Sequence, residues 1–474
     1  MFDVDGGETV DVTLDDGQTH RITLVSVDEQ PCAVRGVIRF PKITVDVDGQ
    51  TADVPAALYH MPQVVNGVRI GCSVTRGVAE VTERNQEVFA LDKDARIRCW
   101  HPDAPLFGDP PLVYPVKQCW FASMTQMANE RTYVDAGELS LNKPGAAIYH
   151  HSGMDFGGHD RAVPIVAAHA GRVVVRGEET TPDFDDKPSI PRYDRVVVQD
   201  DEGWYYLYSH LDMIDPTIEL GRSVEAGDPI GALGKEGASG GWAHLHFGIK
   251  CVQPSGRPGQ VEGYPFLVEA YLHEHPGALL ACARPHRAGM VGEEIELDGS
   301  RSICDGGEIT SFRWTLQNGG TAHGARTTVT YEQESMYSEM LTVTDDRGRE
   351  AVDFCVVQIL PQDADPAKTP PTMHLTYYPT QGIRLGQPIA FKARTFMRGA
   401  FEVNWGGEEV WDFGDGITAT SCSGAPPRTG SCTQKDFDER WHAYDEPGRY
   451  IVTVRRTGNN GLTATAQLKV DVGQ

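Results

Sequence analysis

Short β-type runs separated by glycine, proline and aspartate turns recur along almost the whole chain, and helical periodicity is scarce. Residues 9–14, 19–25 and 43–47 are such runs, set between Asp-Gly and Gly-Gln pairs. Residues 172–176 (RVVVR), 195–199 (RVVVQ) and 204–208 (WYYLY) read as buried strands. Short strands and turns at this spacing predict β domains. The one helix predicted covers residues 264–273. A chain of 474 residues is too long for a single ordinary core. Four units are therefore expected: an N-terminal β-rich unit over 1–112, a glycine- and histidine-rich unit over 113–275, and two β units over 276–361 and 372–474. The last two flank a polar, Pro-containing linker at 362–371, and each has a size at which sandwiches are common.

The formal charge is −25 and is spread along the chain. That disfavours nucleic acid, whose phosphates would be repelled, and adhesion to anionic membranes, so no nucleic-acid partner is expected. No run approaches the eighteen apolar residues of a membrane span, so no membrane insertion is expected. The opening MFDVDGGETVDVTLDDG has neither a basic nor an apolar leader region. Ten cysteines occur without a CxxC, which disfavours a thiolate zinc site. Cys422 and Cys432 bracket a Gly/Pro/Ser loop suited to a local disulfide, and such a bridge would imply an oxidising setting.

Four short pieces carry chemistry: His151-Ser-Gly-Met-Asp155, Tyr208-Ser-His210-Leu211, Gly240-Gly-Trp-Ala-His244 and His244-Leu-His246. In a strand, His244 and His246 project from one face. Two imidazoles on one face are a natural start for a zinc site, to which His151 and Asp155 add a nitrogen and a carboxylate oxygen. Three protein ligands would leave the fourth tetrahedral position open, as in a catalytic zinc site. Each piece alone is weak; in this order and with these flanks they are strong.

Together they make residues 151–250 resemble the lysostaphin/LytM-type zinc metallopeptidases, which cut peptidoglycan cross-bridges and stem peptides. His151, Gly153 and Asp155 match that family's His-x-Gly-x-Asp motif. Tyr208, His210 and Leu211 match its Tyr-x-His-Leu motif, residues 224–231 (VEAGDPIG) its Val-x-x-Gly-x-x-Ile-Gly turn, and residues 244–247 its closing His-Leu-His-Phe strand. The resemblance implies a mainly β, antiparallel-sheet metallopeptidase core. It implies Zn2+ held by His151, Asp155 and His246, with His210 and His244 as catalytic, non-ligand histidines. Which of the two acts as base and which as acid stays open at this stage. His150 is an alternative to His151, which the spacing to Gly153 and Asp155 favours. Residues 180–194 read as a solvated loop, with walling of the cleft as the alternative. His159 and His169 read as structural or surface residues.

Residues 294–302, 309–314 and 341–346 resemble a PKD-type β-sandwich, and Trp411-Asp-Phe-Gly-Asp-Gly416 with residues 444–454 a second, giving two Ig/PKD-like β-sandwiches. The first has Trp314-Thr-Leu-Gln-Asn-Gly where the motif has Trp-x-Phe-Gly-Asp-Gly. Trp314 and Trp411 are the expected core anchors. Cys304 and Cys355 are candidates to pair across the first sandwich. The implied function is a zinc endopeptidase acting on peptidoglycan peptides outside the cell or in its envelope. The alternatives are the same chemistry on another protein, such as a glycine-rich one, or a binding protein that has lost turnover. An N-terminal unit covering the cleft would make the chain latent.

Overall fold

The computed structural model describes the chain except residues 32–37, 39, 80–87, 125–126, 129–130, 134–147, 152, 185–190, 238, 240–241, 363–369, 397–407, 422–437, 459 and 474. Among the described residues only Arg76–Ala79 and Tyr264–Glu274 are α-helical, and the fold is otherwise β and multidomain. Cys422 and Cys432 lie outside the described residues.

The N-terminal runs form the meander Thr9–Thr13, Thr19–Asp28, Lys42–Val47 and Gln50–Pro55, beside a second four-stranded sheet. Alternation along these strands sends Ile22, Leu24, Ile43 and Val45 into one core.

The glycine- and histidine-rich region builds an antiparallel sheet from β1 (Met154–Gly157), β2 (Gly171–Arg176), β3 (Val196–Gln199), β4 (Tyr205–Ser209), β5 (His244–Val252) and β6 (Pro258–Val261). The spatial order is β2-β3-β4-β5-β1, with β6 also pairing β5. The unbroken valine runs have a physical reason: Val196 and Val198 enter the main core, while Val197 packs with Val174, Val175 and Leu207 on the opposite face. A sheet covered on both sides needs apolar residues at successive positions. Under β4, β5 and β1 the main core gathers Tyr206, Tyr208, Leu245, Phe247, Met154 and Phe156 together with Phe266, Leu267 and Tyr271 of the helix. Each such side chain contributes about 1.5–3 kcal/mol when fully buried. That packing fixes which face of β1 and β5 is left for function.

The C-terminal region contains β7 (Ile309–Thr315), β8 (Ser335–Asp345), β9 (Glu350–Leu360), β10 (Thr372–Tyr378), β11 (Ile389–Phe396), β12 (Glu409–Asp412), β13 (Asp438–His442), β14 (Gly448–Thr457) and β15 (Thr463–Val472). Its two units are not independent. They share a sheet in which β9-β8-β15-β14-β12 are neighbours, joined through a parallel pairing at Met336 and Ala464. The Ser335 hydroxyl donates to the Thr463 carbonyl at 2.5 Å, and the Gln317 amide to the Thr465 hydroxyl at 2.8 Å.

Trp314 and Trp411 are fully buried, each in its own cluster. The Trp411 indole N–H donates to Ser421 Oγ at 2.7 Å, and Ser421 donates in turn to Glu409, which is paired with Arg456. Trp411→Ala is expected to destabilise the C-terminal unit by about 3–5 kcal/mol, the cost of a large aromatic cavity. Denaturant unfolding followed by far-ultraviolet dichroism measures this, and a loss below 1 kcal/mol would remove Trp411 as an anchor.

The expectation for Cys304 and Cys355 is corrected: both are free thiols. Cys355 points into the sandwich core, 4.0 Å from the Pro285 carbonyl, whereas Cys304 sits half-buried beside the Asp345 carboxylate. Burial pushes the Cys355 thiol up to about 12, which suits an unreactive core residue.

Candidate metal centre and active site

Strand register assembles the site. Asp155 lies directly across from His246, and Gly157 across from His244, in the β1–β5 pairing. With a two-residue period, Asp155, His244 and His246 share the face opposite the core residues Met154, Phe156, Leu245 and Phe247. On the other side of β5, Ser209 of β4 pairs with His246, so His210 emerges next to it.

His151 reaches the same point through a turn at Gly153, whose φ is +93°. A Cβ there would lie 2.5 Å from the Phe247 carbonyl oxygen, which only glycine avoids. Gly153→Ala should therefore push β1 off β5 and weaken metal binding by roughly tenfold or more, the scale seen when ligand support is disturbed. Calorimetric zinc titration checks this, and wild-type affinity in the variant would refute the close-approach argument.

His151 Nε2, Asp155 Oδ1 and His246 Nδ1 converge. His151 Nε2 and His246 Nδ1 each stand 2.9 Å from Asp155 Oδ1 and 3.1 Å from one another. A tetrahedral zinc with donors at about 2.0–2.2 Å holds them roughly 3.3–3.6 Å apart, so the triangle fits after opening by tenths of an ångström. Two imidazole nitrogens and a carboxylate oxygen are also the donor types zinc accepts. Burial, outweighing the pull of Asp155, brings His246 down to about 4 and His244 to about 3. Burial opposes ionisation of Asp155, yet the His151 and His244 imidazoles and hydrogen bonds from His151 and His246 hold its carboxyl well below the usual range. A neutral His246 beside an ionised Asp155 is the pair of protonation states a cation needs. The side chain of His150 lies outside the described residues, so the choice between it and His151 rests on the convergence of His151 alone.

His210 and His244 stand beside the triad with ring centroids 4.7 Å apart. His244 Nδ1 is 3.0 Å from the Trp242 carbonyl, which can only accept, so Nδ1 carries the proton. Its Nε2 then faces Asp155 Oδ2 at 3.5 Å with a free lone pair. His210 Nδ1 likewise faces the Glu236 carbonyl at 2.8 Å. His210 has φ +70°, an uncommon conformation for a non-glycine residue. Asp194 holds it there by accepting its backbone N–H at 2.8 Å, and Arg192 pairs with Asp194 while lying 3.1 Å from His210 Nδ1. Asp194 is buried, which works against its charge, but hydrogen bonds from His210 and Arg192 hold it far below the ordinary carboxylate range.

Thus all five expected site residues come together. Asp194 and Arg192 were missed: they close a stretch that reads as a solvated loop, and no local pattern marks a carboxylate just before a buried strand as a backbone clamp. The other two histidines stand apart from the triad. His159 is buried with Nε2 3.4 Å from Glu439, and His169 stacks on Tyr206. Among the described residues, the N-terminal unit's contacts with this domain include hydrogen bonds at Gln253, Arg257 and Gln260, towards the opposite end of β5 from His244, hydrogen bonds at Glu269 of the helix, and the Phe107 ring against His169, Trp204, Tyr206 and Phe266.

The model of Peptidase family M23 matches residues 149–258, and that of the PKD domain residues 280–359. The second match covers the unit whose Trp314 segment departs from the clean motif. Among curated proteins the chain is similar to Collagenase ColA of Clostridium perfringens, 30% identical over 80 residues, which are 17% of this chain and 7% of that protein. It thus spans 7% of that relative's length. Among solved structures it is similar to the catalytic domain of the antimicrobial peptidase lysostaphin from Staphylococcus simulans, at 24% identity over 25% of this chain and 80% of that one, with a TM-score of 0.19. A second is a putative glycyl-glycine endopeptidase lytM from Ruminococcus gnavus, at 26% identity over 34% and 61% of the two chains, with a TM-score of 0.23. The protein therefore carries a peptidase domain of family M23 followed by a PKD domain.

Proposed function

We propose that residues 113–275 form a zinc endopeptidase that hydrolyses peptide bonds of bacterial peptidoglycan, in its stem or cross-bridge peptides, outside the cell or in its envelope. The observation that carries the zinc reading is the meeting of His151 Nε2, Asp155 Oδ1 and His246 Nδ1 within about 3 Å of one another, beside two further imidazoles. Zinc bound there supplies Lewis-acid activation of the attacking water and of the peptide carbonyl. His244, with its unprotonated Nε2 next to Asp155, takes the proton of the attacking water. That proton passes to Nε2 of His210, whose ring centroid lies 4.7 Å from that of His244, and from there to the departing amine as the C–N bond breaks, which returns both rings to their starting state. Trp242 and Glu236 hold the two rings by their carbonyls so that Nε2 of each is the working atom.

The family match supports the peptidase and the lysostaphin/LytM-like motifs support the wall as substrate. The net charge of −25 speaks against nucleic acid, and no helix among the described residues is long and apolar enough to cross a membrane. The alternative is a glycine-rich protein substrate. The test is metal content together with release of new amino termini from purified peptidoglycan and, in parallel, from gelatin. About one zinc per chain with cleavage of the wall alone supports the proposal. Cleavage of gelatin alone moves the substrate to protein, and zinc without cleavage of either reduces the site to binding.

A further inference from the structure

The second C-terminal unit reaches the active site. In the antiparallel pairings of β10, β11 and β13, His374 lies opposite Arg394, Thr376 opposite Lys392, and Lys392 opposite Glu439. With the two-residue period, His374, Lys392 and Glu439 therefore share one face of that sheet, and this face meets the peptidase domain. Lys392 Nζ binds Asp160 Oδ1 at 2.7 Å with both side chains largely buried. Glu439 stands 3.6 Å from Lys392 and 3.4 Å from His159 Nε2. The His374 ring lies on the Trp242 indole, centroid to centroid 3.8 Å at a 38° tilt. These contacts grip the two chain segments that lead out of β1 and into β5, which are themselves tied by the Gly158 N–H to the Ala243 carbonyl.

Trp242 matters because its carbonyl is the acceptor for His244 Nδ1. The peptide that decides which nitrogen of His244 carries the proton belongs to a residue clamped by a ring from another domain. Burial, with Arg394 nearby, brings His374 down to about 3, so the clamping ring is neutral and stacks without adding charge to the cleft. We propose that His374 is a positioning residue for catalysis: by stacking on Trp242 it fixes the carbonyl that holds the His244 ring, which makes the second C-terminal unit a working wall of the peptidase site rather than a spacer. This rests on the assignment of His244 as a catalytic histidine.

The test compares wild type, His374→Ala and His374→Phe as full chains, each with zinc content and melting profile recorded. His374→Ala is expected to keep its zinc and its KM on peptidoglycan while kcat falls about tenfold or more, the scale of lost outer-shell support. His374→Phe, which keeps a stacking ring, is expected to recover most of kcat. Nitrogen-15 spectra of the histidines supply a readout separate from turnover: His244 should be a single Nδ1–H tautomer in wild type and His374→Phe, and a tautomer mixture in His374→Ala. Wild-type kcat with a single tautomer in His374→Ala overturns the proposal, as does a His374→Phe variant that is folded, zinc-loaded and as slow as His374→Ala. Absence of turnover in wild type would count against the peptidase reading, and the spectra would still decide the positioning role.

Discussion

His246→Ala is expected to lose its zinc and to cut peptidoglycan slower than wild type by roughly a thousandfold or more, the scale of removing a principal electrostatic stabiliser. His246 is the shared corner of the donor triangle, 2.9 Å from Asp155 and 3.1 Å from His151. Without it one imidazole and one carboxylate are left, too few to close a tetrahedral site. The loss should not come from unfolding. His246 lies on the cleft face with its side chain 22% exposed, while Leu245 and Phe247 on either side keep their places in the core. Metal analysis, circular dichroism and amino-terminus release on one preparation separate the two causes. A variant that still binds one zinc with wild-type affinity would sink the ligand assignment.

His210→Ala should behave differently, with zinc retained and turnover reduced by about 10²–10⁴, the contribution of a positioned acid–base group. Its ring belongs to a second set of contacts, with Glu236, Arg192 and Asp194, and its nitrogens are not among the converging donors. Loss of zinc in His210→Ala would show that the division between ligands and catalytic histidines is drawn in the wrong place. The pair of variants therefore tests that division, which neither could do singly.

The site was legible where its geometry is local. His-x-Gly-x-Asp and His-x-His each place their groups by a turn or by the two-residue period of a strand, and β1 and β5 then bring the two motifs into register. Buried strands were legible from their valine runs, and Trp314 and Trp411 from the size of the side chain. What escaped depends on distant pairing. Asp194 clamps the backbone of His210 only because β3 and β4 are neighbours. The contact between Lys392 and Asp160 joins residues 232 positions apart, and the Met336–Ala464 junction of the two C-terminal units is a single pairing without a sequence pattern of its own. Cys304 and Cys355 looked like partners by number and domain, but they face different neighbours.

The left-handed backbone at His210 bears on a different question, whether this is a working enzyme or a descendant that has stopped turning over. A non-glycine residue in that conformation costs on the order of 1–3 kcal/mol, which glycine would largely avoid. This chain instead carries an imidazole there, held by the buried Asp194, which is paired with the half-buried Arg192. A buried carboxylate that holds an imidazole in this conformation is what a chemical role for His210 predicts.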